Sequence, residues 1–279
     1  MRGAERMERG VAGPLPCLRT GSGKPLLFIG GLSPEAGVDA TGTEWMVGSL
    51  LEPFARRREV VFVDRRPGLP RGMTMAEMAA EHAEAIRALG DGPVDVAGIS
   101  TGGSIAQQLA ADHPGVVGRL ALLCTACRLG PEGKVLQRRV AARVRAGALR
   151  QATAVMVAGL VPPGRGQTVA GALGHLAGPR LFAGGDDMTD MATTIEAEDA
   201  FDLAECPRIT APTLILAGGD DRFYSPELFA ETARLIPGSR LRVFEGRGHV
   251  TVSRHPEWAG EIERFLAGWM SDSATPHRG

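Results

Sequence analysis

Residues 94–103 (Val-Asp-Val-Ala-Gly-Ile-Ser-Thr-Gly-Gly) constrain the fold of this chain more than any other stretch. Residues 94–97 have the apolar, β-branched character of a buried strand, and 104–112 have helical periodicity, with Ile105, Leu109 and Ala110 on one side. The strand therefore passes into the helix without pause, and Ser100 sits in the turn. A serine in so sharp a turn is pushed toward positive φ, where side chains two residues to either side would collide with neighbouring backbone. Gly98 and Gly102 remove those side chains.

The same turn gives Ser100 a chemical setting. It holds the hydroxyl clear of the sheet and aims the first amides of the helix, starting with Thr101 N–H, at negative charge developing on a carbonyl above Ser100. Gly98, Ser100 and Gly102 form the pattern G-x-S-x-G. The alternative reading is a strand–helix junction with an incidental serine.

At 279 residues the chain has the length of a single α/β unit. Its formal net charge is −1 and its basic residues are dispersed, so nucleic acid is not an expected partner. The cysteines Cys17, Cys124, Cys127 and Cys206 show no disulfide-framework spacing. Cys124 and Cys127 form C-x-x-C, but they close an apolar strand and no second pair completes a zinc site. They read as ordinary buried thiols, and no metal is expected. No apolar run approaches the ~20 residues of a membrane span, and residues 1–10 are charged and lack the apolar centre of a signal peptide. The expected setting is soluble, reducing and cytoplasmic, with no membrane partner. The first dozen residues and the tail 271–279 are expected to be disordered.

Along the chain, Lys24–Ile29 is a short apolar strand that stops at Gly30-Gly31, and Leu32-Ser33-Pro34 begins a loop. Residues 43–56 have helical periodicity, 60–63 form a strand, and Thr74 caps a helix over Met75–Leu89. After the elbow helix, 116–124 is a strand whose continuous apolar character suits the interior of a parallel sheet. From Gly130 to about Glu205 there is no strand signal, only helical stretches at 132–160, 168–176 and 188–201. An all-helical insertion between sheet strands is expected to sit outside the sheet as a lid. Strand character returns at 212–217, followed by a helix over Pro226–Leu235, a strand over Arg240–Phe244 and an amphipathic helix over 256–270. The alternation predicts an α/β fold with a doubly wound, mostly parallel sheet.

Open α/β sheets bind ligands at the carboxyl ends of their strands. Ser100, Asp221 and His249 each follow a strand directly, in the order serine, acid, histidine. With the elbow, that order resembles the α/β-hydrolase superfamily, and within it the compact capped branch of esterases, enol-lactonases and proline iminopeptidase-like enzymes. The resemblance runs from about residue 14 to residue 270. It implies an α/β-hydrolase core over 1–129 and 206–279, with a helical cap over 130–205 inserted after the strand ending near Cys124.

Carried over to this chain, the resemblance implies Ser100 as nucleophile, His249 as general base and Asp221 as the acid orienting the imidazole. His249 takes the hydroxyl proton as the carbonyl is attacked and returns it to the leaving group. Asp220 competes with Asp221, but the family's strand-G-x-x-D spacing counted from Gly218 favours Asp221. His255, His113, His82 and His175 are rivals of His249, yet only His249 lies in a glycine-rich loop after the last strand. The oxyanion donors are implied at Thr101 N–H and Leu32 N–H. Most relatives have His-Gly where this chain has Gly30-Gly31, and a mere tight turn is the alternative there.

Gly31, Met156, Phe223 and Tyr224 are candidate pocket residues, with core packing as the alternative for the three large ones. Arg138, Arg139, Arg143, Arg145 and Arg150 offer contacts for an acidic substrate, or form a solvated helical face. The expected activity is that of a cofactor-free serine hydrolase acting on a small carboxylic ester or lactone through an acyl-Ser100 intermediate. The nearest alternative is a proline iminopeptidase-like amidase. It needs acidic cap groups to hold a substrate amine, for which Asp186, Asp187, Asp190, Glu196 and Glu198 are available. A cofactor-free oxygenase or biosynthetic cyclase on the same scaffold and a slow-turnover binding protein are further alternatives. The sequence leaves the oligomeric state open.

Overall fold

The computed structural model describes residues 7–39, 43–161, 164–182 and 188–268, with 177–182 described in their backbone only. Asp186, Asp187, the last two residues of the expected final helix and the tail 271–279 lie outside the described residues.

The eight strands are β1 (Glu8–Ala12), β2 (Leu15–Thr20), β3 (Lys24–Ile29), β4 (Arg58–Val63), β5 (Val94–Ile99), β6 (Val117–Leu123), β7 (Thr213–Gly218) and β8 (Arg240–Phe244). They form one sheet in the order β1-β2-β4-β3-β5-β6-β7-β8. From β4 to β8 every pairing is parallel. The carboxyl-terminal halves of the central strands read as apolar runs because both faces are covered. Leu27, Ile29, Val96, Leu122 and Ile215 pack on one side with α2 (Met75–Leu89), α3 (Thr101–Asp112) and α8 (Pro226–Leu235). Leu26, Phe28, Ala97, Leu123 and Leu216 pack on the other with α1 (Thr43–Ala55) and α9 (Trp258–Leu266). This is the doubly wound sheet expected. The strand order turns at β3, which pairs with β4 on one side and β5 on the other, so the loops leaving β3 and β5 flank a crevice at the carboxyl edge.

The N-terminus differs from expectation. Glu8–Ala12 pairs antiparallel with Leu15–Thr20, which pairs antiparallel with β4, so the first dozen residues include an edge strand. β1 escapes sequence reading because four of its five residues are exposed. Its only buried anchor is Ala12, held against Leu15 across the Gly13-Pro14 turn.

Between β6 and β7 lie α4 (Pro131–Arg145), α5 (Leu149–Gly159), α6 (Arg165–Phe182) and α7 (Thr189–Ala200). The expected 132–160 stretch is divided at Gly147, whose φ of +71° turns the chain between α4 and α5. Val140, Val144, Ala152, Met191 and Ile195 give these helices a buried cluster of their own.

At the elbow the glycines are steric requirements. A Cβ on Gly102 would lie 2.2 Å from Gly30 O and 2.5 Å from Ile29 O. Both obstacles are backbone oxygens, which cannot rotate aside. Gly102→Ala is therefore expected to lose about 3 kcal/mol of stability, read from urea unfolding midpoints. A loss below about 0.5 kcal/mol, the range of neutral surface changes, would show that the elbow relaxes freely.

Candidate active site

The β5–α3 junction holds Ser100 at φ 53° and ψ −126°, in left-handed territory that a serine occupies only under constraint. The constraint is visible on every side. Ser100 N–H donates to Leu123 O at 2.9 Å, and Ser100 O accepts from Gly103 N–H at 2.7 Å. A Cβ on Gly98 would lie 2.6 Å from Gly102 O, and one on Gly103 would lie 2.1 Å from Thr125 Cγ2.

Above this turn the structure brings together three of the residues singled out in the sequence. Ser100 Oγ lies 2.9 Å from His249 Nε2, and His249 Nδ1 lies 2.8 Å from Asp221 Oδ2. Asp221 is 5% exposed, and its Oδ1 accepts from Phe223 N–H (2.8 Å) and Tyr224 N–H (3.2 Å). With both oxygens engaged, the carboxylate has one orientation, and the imidazole is held with Nδ1 as donor and Nε2 free to accept from the serine. The Phe223 ring lies 4.5 Å from the His249 ring, walling the imidazole on that side. The competing Asp220 is exposed.

The other histidines have structural places. His255 packs against Phe244 with ring centroids 4.4 Å apart, and His113 caps α3 through its N–H to Leu109 O. His175 sits half-buried on α6. His82 is buried in α2, with Nδ1 against Met78 O at 2.7 Å and Nε2 without a hydrogen-bond partner among the described residues. Burial drives its pKa from 6.5 down to about 4. Above about pH 6.5 the ring is neutral in folded and unfolded chains alike. As pH falls from 6.5 to about 4 the unfolded chain takes up a proton that the folded one refuses, so stability drops, by about 3 kcal/mol in all. His82→Leu is expected to flatten this part of the stability–pH curve in urea titrations. An unchanged slope would remove His82 from the account.

Two backbone amides complete the carboxyl edge. A Cβ on Gly31 would lie 3.4 Å from Ser100 Cβ, so the loop after β3 runs directly against the serine, and Leu32 follows it. Among the described residues neither Leu32 N–H nor Thr101 N–H donates a hydrogen bond. Met156 and Leu32 pack on the edge of the same helical cluster. Phe223 also borders a cavity of about 470 Å³ between α4, α5 and α6, lined further by Leu136, Arg139, Gly159 and Gln167. Tyr224 is 1% exposed, and its hydroxyl donates to Glu198 Oε1 at 3.0 Å. Burial and the Glu198 charge push that phenol well above its ordinary range, so it serves as a neutral donor in the core.

Of the arginines on α4, Arg138 pairs with Asp199 and Arg145 with Glu196, whereas Arg139 borders the cavity. Among the buried charges that escaped the sequence reading as structural elements, two lie beside this site. Arg65, 2% exposed at the end of β4, bonds Asp64, Ser33 and Thr194. Glu198, noted only as a cap acid, is 0% exposed under the elbow. The one signal for Arg65 was an Asp-Arg pair closing an otherwise apolar strand.

Cys124, Asp221 and His249 place possible ligand atoms within 4.8 Å of one another. Burial and then the Asp221 charge hold the Cys124 thiol well above its usual pKa, which keeps it protonated and a poor ligand. A metal at this point would also have to displace the Asp221–His249 hydrogen bond. All four cysteines are free thiols. Among the described residues no helix is long and apolar enough to cross a membrane.

A sheet of this order, helix-covered on both faces and carrying a serine elbow at its carboxyl edge, has the fold of the α/β hydrolases. The pattern defining the Alpha/beta hydrolase family matches residues 26–260, well over half of the chain. The chain belongs to the α/β-hydrolase family, a family of hydrolases.

It is 30% identical over 272 residues to the polyketide synthase ThaQ of Burkholderia thailandensis, an alignment covering 91% of this chain and 12% of that protein. It is 30% identical over 205 residues to a pimeloyl-[acyl-carrier protein] methyl ester esterase of Neisseria meningitidis, covering 68% of this chain and 62% of that one. The chain thus spans a small part of the first relative and under two thirds of the second. It superposes on a hydrolase from Pseudomonas aeruginosa PA01 with a TM-score of 0.71 at 24% identity, over 95% of this chain and 99% of that one. It superposes on the enol-lactonase from Burkholderia xenovorans LB400 with a TM-score of 0.70 at 20% identity, over 93% and 100%.

Proposed function

We propose that this chain is a serine hydrolase that cleaves a small carboxylic ester or lactone through an acyl-Ser100 intermediate, with residues 130–205 forming a cap over the site. The observation that carries the reading is the unbroken line Ser100 Oγ to His249 Nε2 (2.9 Å) and His249 Nδ1 to Asp221 Oδ2 (2.8 Å). Ser100 Oγ attacks the carbonyl carbon while His249 accepts its proton, and the carbonyl oxygen becomes an anion facing Leu32 N–H and Thr101 N–H. Collapse breaks the C–O bond, and His249 returns the proton to the departing alkoxide. In a lactone that alkoxide stays tethered to the acyl group. Water, deprotonated by His249, then attacks the acyl carbon, the acyl C–Oγ bond breaks, and His249 returns the proton to Ser100 Oγ as the acid is released.

The esterase among the sequence relatives supports an ester substrate. The cap acids support it over the amidase alternative. Asp190 accepts from Gly68 and Leu69 N–H, Glu196 pairs with Arg145, and Glu198 accepts four protein donors. Among the described residues none of the three is left to hold a substrate amine. No cofactor is needed for any step.

The test is to treat the protein with a fluorophosphonate and locate the adduct by peptide mass spectrometry, then to assay p-nitrophenyl esters, methyl esters and lactones. An adduct on Ser100 with turnover of one of these classes is expected. Ligand binding without adduct or turnover would replace the hydrolase reading with that of a binding protein.

A further inference from the structure

Glu198, on α7, is wholly buried, and among the described residues its hydrogen-bond partners are all neutral. Oε1 accepts from Ser104 Oγ (2.9 Å) and the Tyr224 hydroxyl (3.0 Å). Oε2 accepts from Thr101 Oγ1 (2.8 Å) and Gln137 Nε2 (3.0 Å). Burying a carboxylate without a cation is unfavourable, and a packed apolar side chain would avoid that penalty. The four donors come from three separate segments: the first turn of α3 next to Ser100, the loop after Asp221, and α4.

One turn back on α7, Thr194 Oγ1 accepts from Arg65 Nη1 at 3.0 Å. Another nitrogen of that guanidinium donates to Ser33 O (3.0 Å) and Ser33 Oγ (2.6 Å), in the loop that carries Leu32. One turn further back, Asp190 accepts from Gly68 N–H (2.8 Å) and Leu69 N–H (2.7 Å). Positions 190, 194 and 198 lie on one stripe of the helix. That stripe spans from the Leu32 loop to the Thr101 elbow, the two segments that supply the proposed oxyanion donors.

We propose that α7 is a strut setting the spacing of those two N–H groups, and that Glu198 is the positioning residue at the Thr101 end. The proposal rests on the serine-hydrolase reading and adds to it how the oxyanion pocket is held. Donors to an oxyanion act only when they stand at hydrogen-bond distance from where the charge develops. Loosening Thr101 should therefore lower kcat and leave ground-state binding alone.

The experiment compares wild type, Glu198→Gln and Glu198→Ala by p-nitrophenyl ester kinetics, by the Ki of a boronic acid that adds to Ser100 as a tetrahedral anion, and by thermal melting. Glu198→Gln keeps the shape. Its amide can donate to Gln137 Oε1, which is buried without a partner among the described residues, once the Gln137 amide turns over. The Gln variant is expected within about tenfold of wild-type kcat, and the Ala variant about 100-fold below it, with KM within about threefold and the boronate Ki weakened in parallel. Should Glu198→Ala fail to fold, Thr101→Val removes the hydroxyl donor and keeps the N–H. It is expected to lower kcat about tenfold while the melting temperature falls by only several degrees, leaving the chain folded at assay temperature. Losses that merely track the unfolded fraction, or a kcat and boronate Ki unchanged in every folded variant, overturn the strut. Wild type that neither labels at Ser100 nor turns over would instead bring down the hydrolase reading, and the strut with it.

Discussion

Ser100→Ala is expected to lower kcat/KM for a p-nitrophenyl ester by about 10⁵-fold while leaving the melting temperature within a few degrees of wild type. The size follows from the line of hydrogen bonds that begins at Ser100 Oγ. Without that oxygen no acyl-enzyme forms, and what survives is the modest acceleration that the oxyanion amides and the bound geometry give to direct attack by water. Stability is barely touched because among the described residues Oγ hydrogen-bonds only His249 Nε2, at 2.9 Å, and methyl fits wherever hydroxymethylene fits. Alanine also keeps a Cβ at φ 53°, so the elbow's strain is the same in both proteins. Steady-state kinetics with the fluorophosphonate label as an internal check would settle it. Retention of more than about one hundredth of the activity would assign the chemistry to another nucleophile.

Asp221→Asn is expected to reduce kcat about 10⁴-fold with little change in fold. The direction of the new amide is set by the structure. Oδ1 accepts from two backbone N–H groups, Phe223 at 2.8 Å and Tyr224 at 3.2 Å, so the oxygen of the asparagine must take that position. Its NH₂ then faces His249 Nδ1 at the position where Oδ2 now stands at 2.8 Å. An amide donor there requires Nδ1 to accept, which puts the ring proton on Nε2, where it can no longer take the proton from Ser100. The substitution therefore inverts the tautomer rather than removing a contact. Stopped-flow or steady-state kcat, with melting and circular dichroism alongside, reads the result. A loss of less than about tenfold would show that Asp221 does not set the tautomer.

How much of this was readable in advance depends on whether the controlling physics was local. β3 to β7 were legible because strands covered on both faces carry apolar runs toward their carboxyl ends, and the elbow was legible because a steric demand fixes glycine at 98 and 102. The N-terminal hairpin was not: β1, with four exposed residues, carries no apolar pattern to distinguish it from a tail, and the apolar residues of β2 are interrupted by Pro16 and Arg19. Asp220 and Asp221 are adjacent carboxylates that sequence could rank only by analogy with relatives. The turn after β7 buries one and exposes the other. Glu198 was read as an acid open to a substrate amine, because its donors at 101, 104, 137 and 224 are remote in the chain and meet only after folding.

The strands that bracket the inserted helices, β6 and β7, are hydrogen-bonded neighbours. Because they run parallel, the chain leaves β6 at its carboxyl end and must cross back to enter β7 at its amino end, and the length of the excursion is invisible to strand register. Among the described residues α5 and α6 make no side-chain hydrogen bond to the sheet or the elbow, whereas α7 makes several. The described hydrogen bonds thus fasten the inner helix, and neither of the two outer ones, to the edge that carries Ser100.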